Sequence, residues 1–247
     1  MAGHSKWSNI KHRKGAQDVK RGKAFTKLIK EITISSRLGG GDLDSNPRLR
    51  KAVNNAKSTN LPADKIERAI KKGTGELEGV IYDEITYEGF GPGGVALILD
   101  VITDNKNRSV AEIRHLLSKY GGNLGETGSV SWMFDAKGII IINSNCGNKD
   151  ILFEAAIEYG AEDFIDEDSI YNILTNPLQL LDIRDSIEKD GYHIQSAEIE
   201  MVPKIFQKLN FDDSESAFKL LDALEDNDDI NKLYTNFEME NLDSNKD

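Results

Sequence analysis

The clearest hydrophobic pattern in the chain predicts an amphipathic helix over residues 16–38. Four apolar residues recur at the spacing of one helix face: Phe25, Leu28, Ile29 and Ile32. On the opposite side of the helix a row of lysines recurs at spacings of three, four and three: Lys20, Lys23, Lys27 and Lys30. Glycines 39–41 end the helix. We therefore expect one face to pack in a core and the lysine row to face solvent.

Two further amphipathic helices are predicted after these glycines. One begins at Asn46-Pro47, with the proline in its first turn, and the next follows Pro62 and ends at Gly73. Three short amphipathic helices must share one core, so residues 16–75 are predicted to form a small helical bundle. Residues 1–15 show no helical stripe and are expected to form a flexible basic arm.

From Val80 onward the pattern changes to that of strands. Residues 80–88 and 95–103 predict a hairpin around a turn rich in Gly and Pro, and a helix follows over 107–120. Phe90 lies at this turn, either as an exposed aromatic tip that contacts a partner or as part of a simple turn. The next segment reads strand, helix, strand, strand, helix, strand, which is the ferredoxin-like plan.

The predicted fold class is therefore α+β, with an N-terminal three-helix bundle and two α/β domains. The third domain is ferredoxin-like (βαββαβ) and is inserted into the second. The expected boundaries are 1–78 for the arm and bundle, 79–135 plus 204–240 for the second domain, 136–203 for the inserted domain, and 241–247 for a disordered acidic tail.

Charge is divided unevenly along the 247 residues. The net charge is −11, but residues 1–75 hold 18 Lys and Arg against 6 Asp and Glu, whereas the remaining residues hold 13 against 36. This asymmetry indicates a basic module that faces nucleic acid, joined to an acidic body. The alternative is that both are ordinary solvated surfaces. Dense Lys and Arg on one module favour contact with phosphates.

Composition excludes several classes of protein. Hydrophobic residues make up 38% of the chain, enough for real cores, yet no apolar run approaches the ~20 residues of a membrane helix. A single cysteine, Cys146, and four histidines argue against disulfides and a structural metal. There is no secretory signal, so a cytoplasmic location is expected. Without a P-loop, a nucleophile elbow or metal-ligand histidine spacing, we expect no enzyme activity, cofactor, metal or small-molecule substrate.

The basic arm and helix together predict a nucleic-acid site. Lysines hold phosphates in position without reading bases. Trp7 either stacks on a base or packs as a hydrophobic staple against the bundle. The predicted nucleic-acid-binding residues are Lys6, Trp7, Lys11, Arg13, Lys14, Lys20, Arg21, Lys23, Lys27 and Lys30.

Five segments carry a resemblance to a known family: MAGHSKWSNIKHRKGAQDVKRGKAFTKLIKEI, NPRLRKAVNNAKSTNLPADKIERAIKKGTGE, YEGFGPGGVA, TDNKNRSVAEIRHLLSKYGGNLGETGSVSWMF and LLDALEDNDDINKLYTNFEM. They resemble the YebC/PmpR family, whose eukaryotic relatives are the mitochondrial translational activators of cytochrome c oxidase. The resemblance implies a three-domain bacterial protein of the cytoplasm that regulates gene expression, and it transfers no catalytic residues.

Two kinds of partner follow from the resemblance. Members are commonly described as DNA-binding transcriptional regulators, and the basic residues of the opening motif, from Lys6 to Lys27, are the ones it assigns to nucleic acid. Other members resemble translation factors that act on ribosomes stalled at proline-rich sequences. The expected partner is DNA, with ribosomal RNA and the ribosome as the alternative, and no membrane.

Overall fold

The computed structural model describes residues 21–167 and 169–239. Three helices come first along the chain: α1 (Arg21–Gly39), α2 (Pro47–Ser58) and α3 (Ala63–Thr74). The side chain of Asn46 caps α2 by accepting a hydrogen bond from the backbone N–H of Leu49. The apolar stripe of α1 packs on the buried residues of the other two helices, Leu49, Ala52, Val53, Ala56, Leu61, Ile66 and Ala69. The predicted helical bundle is confirmed.

Strands and helices then follow in chain order: β1 (Asp83–Phe90), β2 (Ala96–Thr103), α4 (Lys106–Lys119), β3 (Asn123–Leu124), β4 (Phe134–Asn143), α5 (Lys149–Glu158), β5 (Asp163–Glu167), β6 (Ile170–Thr175), α6 (Leu180–Lys189), β7 (Ile194–Pro203), β8 (Gln207–Leu209), α7 (Phe211–Glu225), β9 (Ile230–Thr235) and β10 (Phe237–Met239).

Backbone contacts divide the described residues into two compact units. The bundle unit holds residues 21–130 and 210–235, and the ferredoxin-like unit holds residues 131–209 and 236–239. The finer division into three domains stays a prediction. The predicted arm and the predicted acidic tail lie outside the described residues.

A four-stranded sheet in the bundle unit has the order β3-β1-β2-β9, with antiparallel neighbours. The central strand β2 is buried along its whole length except at Asp100, which explains its nearly continuous apolar sequence. The predicted hairpin of β1 and β2 is present, with Tyr87 opposite Leu99.

The second sheet, in the ferredoxin-like unit, has the order β5-β6-β4-β7, again antiparallel throughout. This is the predicted βαββαβ arrangement. Helices α5 and α6 pack on one face, and Ile140, Ile142, Leu152, Ile183 and Ile187 lie in the core between them and the sheet.

The sequence pattern predicts one strand near residues 231–239, and this prediction is wrong in one respect. The strand breaks at Asn236 into β9 and β10. β9 completes the sheet of the bundle unit, whereas β10 pairs in parallel with β8, with Phe237 opposite Gln207. Asn236 secures the break, because its Nδ2 donates to the carbonyl of Ile205 at 3.0 Å.

Candidate nucleic-acid interface

Most of the predicted nucleic-acid-binding residues lie before the described part of the chain. These are Lys6, Trp7, Lys11, Arg13, Lys14 and Lys20. Arg21 is the first residue of α1. The structure therefore places the side chains of three members of the predicted set, Lys23, Lys27 and Lys30.

These three lysines meet the C-terminal end of α7. The Nζ atom of Lys23 donates to the carbonyl of Asp226 at 3.1 Å, and that of Lys27 donates to the carbonyl of Glu225 at 2.6 Å. The last carbonyls of a helix lack intrahelical donors and carry the negative end of the helix dipole, so cations stabilise them. The prediction that this row faces solvent is wrong for Lys27 and Lys30, because α7 ends against it.

Lys30 is the most deeply placed of the three, with 8% of its surface exposed. Its Nζ donates to the carbonyl of Asp228 at 3.0 Å and to Oδ1 of Asp229 at 2.5 Å. Asp229 is 4% exposed and also accepts hydrogen bonds from the hydroxyls of Ser109 at 2.5 Å and Thr103 at 3.2 Å. We call these four side chains, Lys30, Thr103, Ser109 and Asp229, the Asp229 cluster.

Electrostatics explain why the buried carboxylate of this cluster is ionised. Burial raises the pKa of Asp229, but the hydrogen bonds from Lys30 and Ser109, the positive charge of Lys30 and a contact from Arg108 together hold its pKa below the ordinary value. A buried charge of either sign is costly unless it is paired and hydrogen-bonded. The ammonium group of Lys30 is thus paired with Asp229 and buried, so it does not present its charge to a phosphate in solvent.

A second ion-pair network occupies Arg48 on α2. Its guanidinium donates to both carboxylate oxygens of Glu31, at 2.8 and 3.2 Å, and to both oxygens of Glu84, at 2.7 and 3.0 Å. The hydrogen bonds from these two carboxylates raise the pKa of Arg48 further above its usual range. Asn231 on β9 also donates to Glu31 at 3.0 Å, so the network joins α1, α2, β1 and β9.

Exposed cations lie instead on α2 and α3. Residues 47–74 hold eight Lys and Arg against two Asp and Glu. Five of these cations are exposed and form no ion pair within the described residues: Arg50, Lys57, Lys65, Arg68 and Lys72. We call them the exposed cation set. The spacing of three and four places Lys65, Arg68 and Lys72 on one face of α3.

Sequence reasoning did not single out the exposed cation set, although its spacing is of the same kind as that of the lysine row on α1. A discriminating signal was present in α1. Residues 32–36 carry no charged side chain, and the apolar Ile34 lies on the same side of the helix as the lysine row. Ile34 is buried although it lies opposite the predicted stripe. This position indicates that another part of the chain packs on the lysine side of α1.

Phe90, the possible partner contact, is half-buried at the end of β1. It pairs with Ala96 of β2 on one side and with Asn123 of β3 on the other. The tip of the hairpin is formed by the exposed Gly93 and Gly94. The prediction of an exposed aromatic tip is wrong, because the polypeptide continues as a strand up to Phe90.

A buried carboxylate also organises the glycine-rich loop 121–130. Glu88 is 7% exposed and accepts hydrogen bonds from the backbone N–H groups of Gly128 at 2.8 Å and Val130 at 2.7 Å. Its own carbonyl accepts from Gly125 at 2.8 Å. The Glu88 side chain thus adds to the backbone pairing between β1 and β3 in holding the loop on β1.

Two other kinds of feature are absent from residues 21–167 and 169–239. His, Cys, Asp and Glu side chains form no group of three or more that could hold a metal ion. None of the helices there combines the length and the apolar character needed to traverse a lipid bilayer.

Comparison with known proteins identifies the family. The model of the TACO1/YebC protein N-terminal domain matches residues 5–76, and the model of the TACO1/YebC second and third domain matches residues 82–237. The chain belongs to the TACO1/YebC family. This confirms the resemblance carried by the sequence motifs, and the family models cover both the helical bundle and the α/β part.

Close relatives of this TACO1/YebC chain are named as regulators. A probable transcriptional regulatory protein from Geobacter sulfurreducens is 55% identical, over 97% of this chain and 96% of its own. One from Desulforapulum autotrophicum is 54% identical, over 96% of each. The crystal structure of a conserved hypothetical protein from Aquifex aeolicus has 43% identity and a TM-score of 0.85, covering 97% of this chain and 99% of its own.

Proposed function

We propose that this TACO1/YebC protein is a non-enzymatic regulator of transcription that binds DNA through its N-terminal basic region. The names of its relatives support a regulatory role. The observation that carries the DNA contact is the exposed cation set on α2 and α3, because its members have no carboxylate partner within the described residues. The predicted cations of residues 6–21 remain part of the proposed interface.

Charge explains both the strength and the limits of such an interface. Each Lys or Arg that meets a phosphate releases condensed counterions, and this supplies affinity that falls with salt. Lysines and arginines that contact only phosphates position the protein without reading sequence. Five phosphate contacts predict a slope of log K against log salt of about −4 to −5 on duplex DNA.

The test is fluorescence anisotropy of the full chain with a labelled DNA duplex over a series of salt concentrations. Lys65→Glu with Arg68→Glu is expected to weaken binding more than tenfold and to reduce the salt slope by roughly 2, since two phosphate contacts are lost. The matched control is Lys189→Glu with Lys208→Glu, two exposed lysines of the ferredoxin-like unit. Circular dichroism checks that each variant is folded.

Three outcomes would count against the proposal. Unchanged affinity of the Lys65→Glu/Arg68→Glu variant would exclude α3 from the interface. An equal loss of affinity in the control variant would show that the effect comes from the change in net charge alone. Co-sedimentation of the native protein with ribosomes at physiological salt, with no promoter fragments recovered after crosslinking, would instead support the ribosome-associated alternative.

A further inference from the structure

A cleft of about 360 Å³ lies in the bundle unit, where the segment after α3 returns past α1. Two exposed cations line it from different helices, Arg37 on α1 and Lys72 on α3. Neither forms an ion pair with any of the described residues. We call Arg37 and Lys72 the cleft cations. The volume is at the lower end of the range for small-ligand sites, which is about 300–1,000 Å³.

The backbone after α3 shapes this cleft. Gly75 adopts a left-handed conformation with φ of 84° and ends α3, and Leu77 N–H then donates to the carbonyl of Lys71 at 3.1 Å. The segment thus reverses across the helix end. A Cβ atom at Gly79 would lie 3.1 Å from carbons of the Lys72 side chain. The aliphatic stem of Lys72 is therefore supported by the returning chain.

One wall of the cleft is apolar and accessible. It contains Leu77, Val80 and Ile81, which are 41%, 50% and 72% exposed. We call these three residues the apolar wall. Glu78 lines the same cleft. Two cations, an apolar surface and one carboxylate thus line the same cleft.

A nucleotide presents complementary groups to all three features. Its phosphate is attracted by Lys and Arg, and its base is a flat surface that packs on apolar and aromatic side chains once it is unstacked. Adenine, cytosine and guanine also carry exocyclic amines, which donate to a carboxylate such as that of Glu78.

We propose that this cleft receives one unstacked nucleotide of a bound nucleic-acid strand, with its phosphate on the cleft cations and its base against the apolar wall. The inference rests on the proposed function, since Lys72 also belongs to the exposed cation set. A strand held along Lys65 and Arg68 continues to Lys72 and so reaches the cleft. Nucleic acid with an unpaired base is therefore preferred over a continuous duplex.

The experiment compares three DNA probes of equal length with the full chain at one salt concentration: a continuous duplex, the same duplex with a single adenosine bulge, and that duplex with an abasic bulge. Wild-type protein is expected to bind the adenosine bulge at least tenfold more tightly than the other two. The abasic probe separates recognition of the base from the flexibility of a bulge.

Variants then locate the effect. Two variants are expected to abolish the preference for the adenosine bulge: the serine variant, Val80→Ser with Ile81→Ser, and separately Arg37→Gln. The affinity of the serine variant for the continuous duplex should change less than about twofold. Matched controls are Leu38→Ser, an apolar residue that is 61% exposed next to Arg37, and Arg114→Gln, an exposed arginine on α4. Both controls should keep the preference.

The outcomes separate this inference from the proposed function. Equal binding of all three probes by the wild type, or a preference that survives in the serine variant, overturns the nucleotide cleft and leaves DNA binding standing. Loss of all three probes in the Lys65→Glu/Arg68→Glu variant is the result expected of the proposed function. Absence of binding to any probe by the wild type overturns both.

Discussion

The Nζ atom of Lys30 lies 2.5 Å from the carboxylate of Asp229, joining two residues 199 positions apart. Lys30 belongs to α1, and Asp229 immediately precedes β9. The same Nζ lies 5.8 Å from the ring centre of Tyr82, within range of a cation–π interaction. The ion pair therefore fastens the helical bundle to the neighbouring sheet. Lys30, one of the cations of α1, therefore stabilises the fold.

Breaking this ion pair is expected to destabilise the protein strongly. Lys30→Met leaves the Asp229 charge buried without its main partner, and such changes cost about 3–5 kcal/mol. The measurement is the free energy of unfolding from urea denaturation. Lys71→Met is the control, because Lys71 pairs with Glu67 on the exposed surface of α3, where solvent screens the pair and its contribution to stability is small. Similar losses in the two variants would contradict this account.

Stability should depend on pH through Asp229. Its pKa is lowered because the hydrogen bonds from Lys30 and Ser109 outweigh burial, so it lies below the ordinary value of about 3.9. A lowered pKa gives stability that is present above the unfolded-state pKa and is lost as pH falls through the folded-state pKa. The difference in unfolding free energy between wild type and Asp229→Asn should stay constant from about pH 7 to 5 and shrink below about pH 4. A difference that stays constant down to pH 2 would exclude this role.

The glycine-rich loop should loosen when Glu88 is changed to Gln. Each carboxylate oxygen accepts one backbone N–H, from Gly128 and Val130, whereas an amide has a single acceptor oxygen. One of the two N–H groups then loses its acceptor, which costs about 1–3 kcal/mol where the group is buried, as at Val130. Hydrogen exchange at the two amides should accelerate. Glu126→Gln, an exposed acidic residue of the same loop, should change neither quantity.

Gly73→Ala should destabilise the bundle. Alanine usually stabilises an exposed helix relative to glycine by about 1 kcal/mol. Here an added Cβ would lie 2.3 Å from the carbonyl oxygen of Thr33 and 2.6 Å from the Cβ of Ser36. Such overpacking costs about 1–3 kcal/mol, so the melting temperature should fall. An increase would show that α1 and α3 can separate without cost.

Local patterns in the sequence predict much of this fold. The stripe of α1 and the alternation of strands and helices from residue 138 to 203 both depend on spacing within a segment, and both are confirmed. The end of a helix depends also on tertiary contacts. Gly73 is predicted to end α3, but the helix continues to Thr74 because that glycine serves a close helix crossing, and Gly75 ends it.

The lysine row of α1 shows where sequence reasoning stops. Spacing establishes that Lys23, Lys27 and Lys30 share a face, but it cannot show what that face meets. The answer depends on the end of α7, about 200 residues later in the chain. The same limit applies to the exposed cation set on α2 and α3. Only the packed structure shows which of these cations have no carboxylate partner within the described residues.

The interruption of the first sheet has a consequence for biosynthesis. Strand β2 is synthesised by residue 103, but its second neighbour, β9, begins only at residue 230. In the interval the ribosome produces all four strands of the ferredoxin-like sheet, which can close by itself. One edge of the apolar strand β2 stays open meanwhile, and open edges invite mispairing. The nascent chain thus completes the ferredoxin-like sheet before β9 can close the first sheet, although β2 is the older strand.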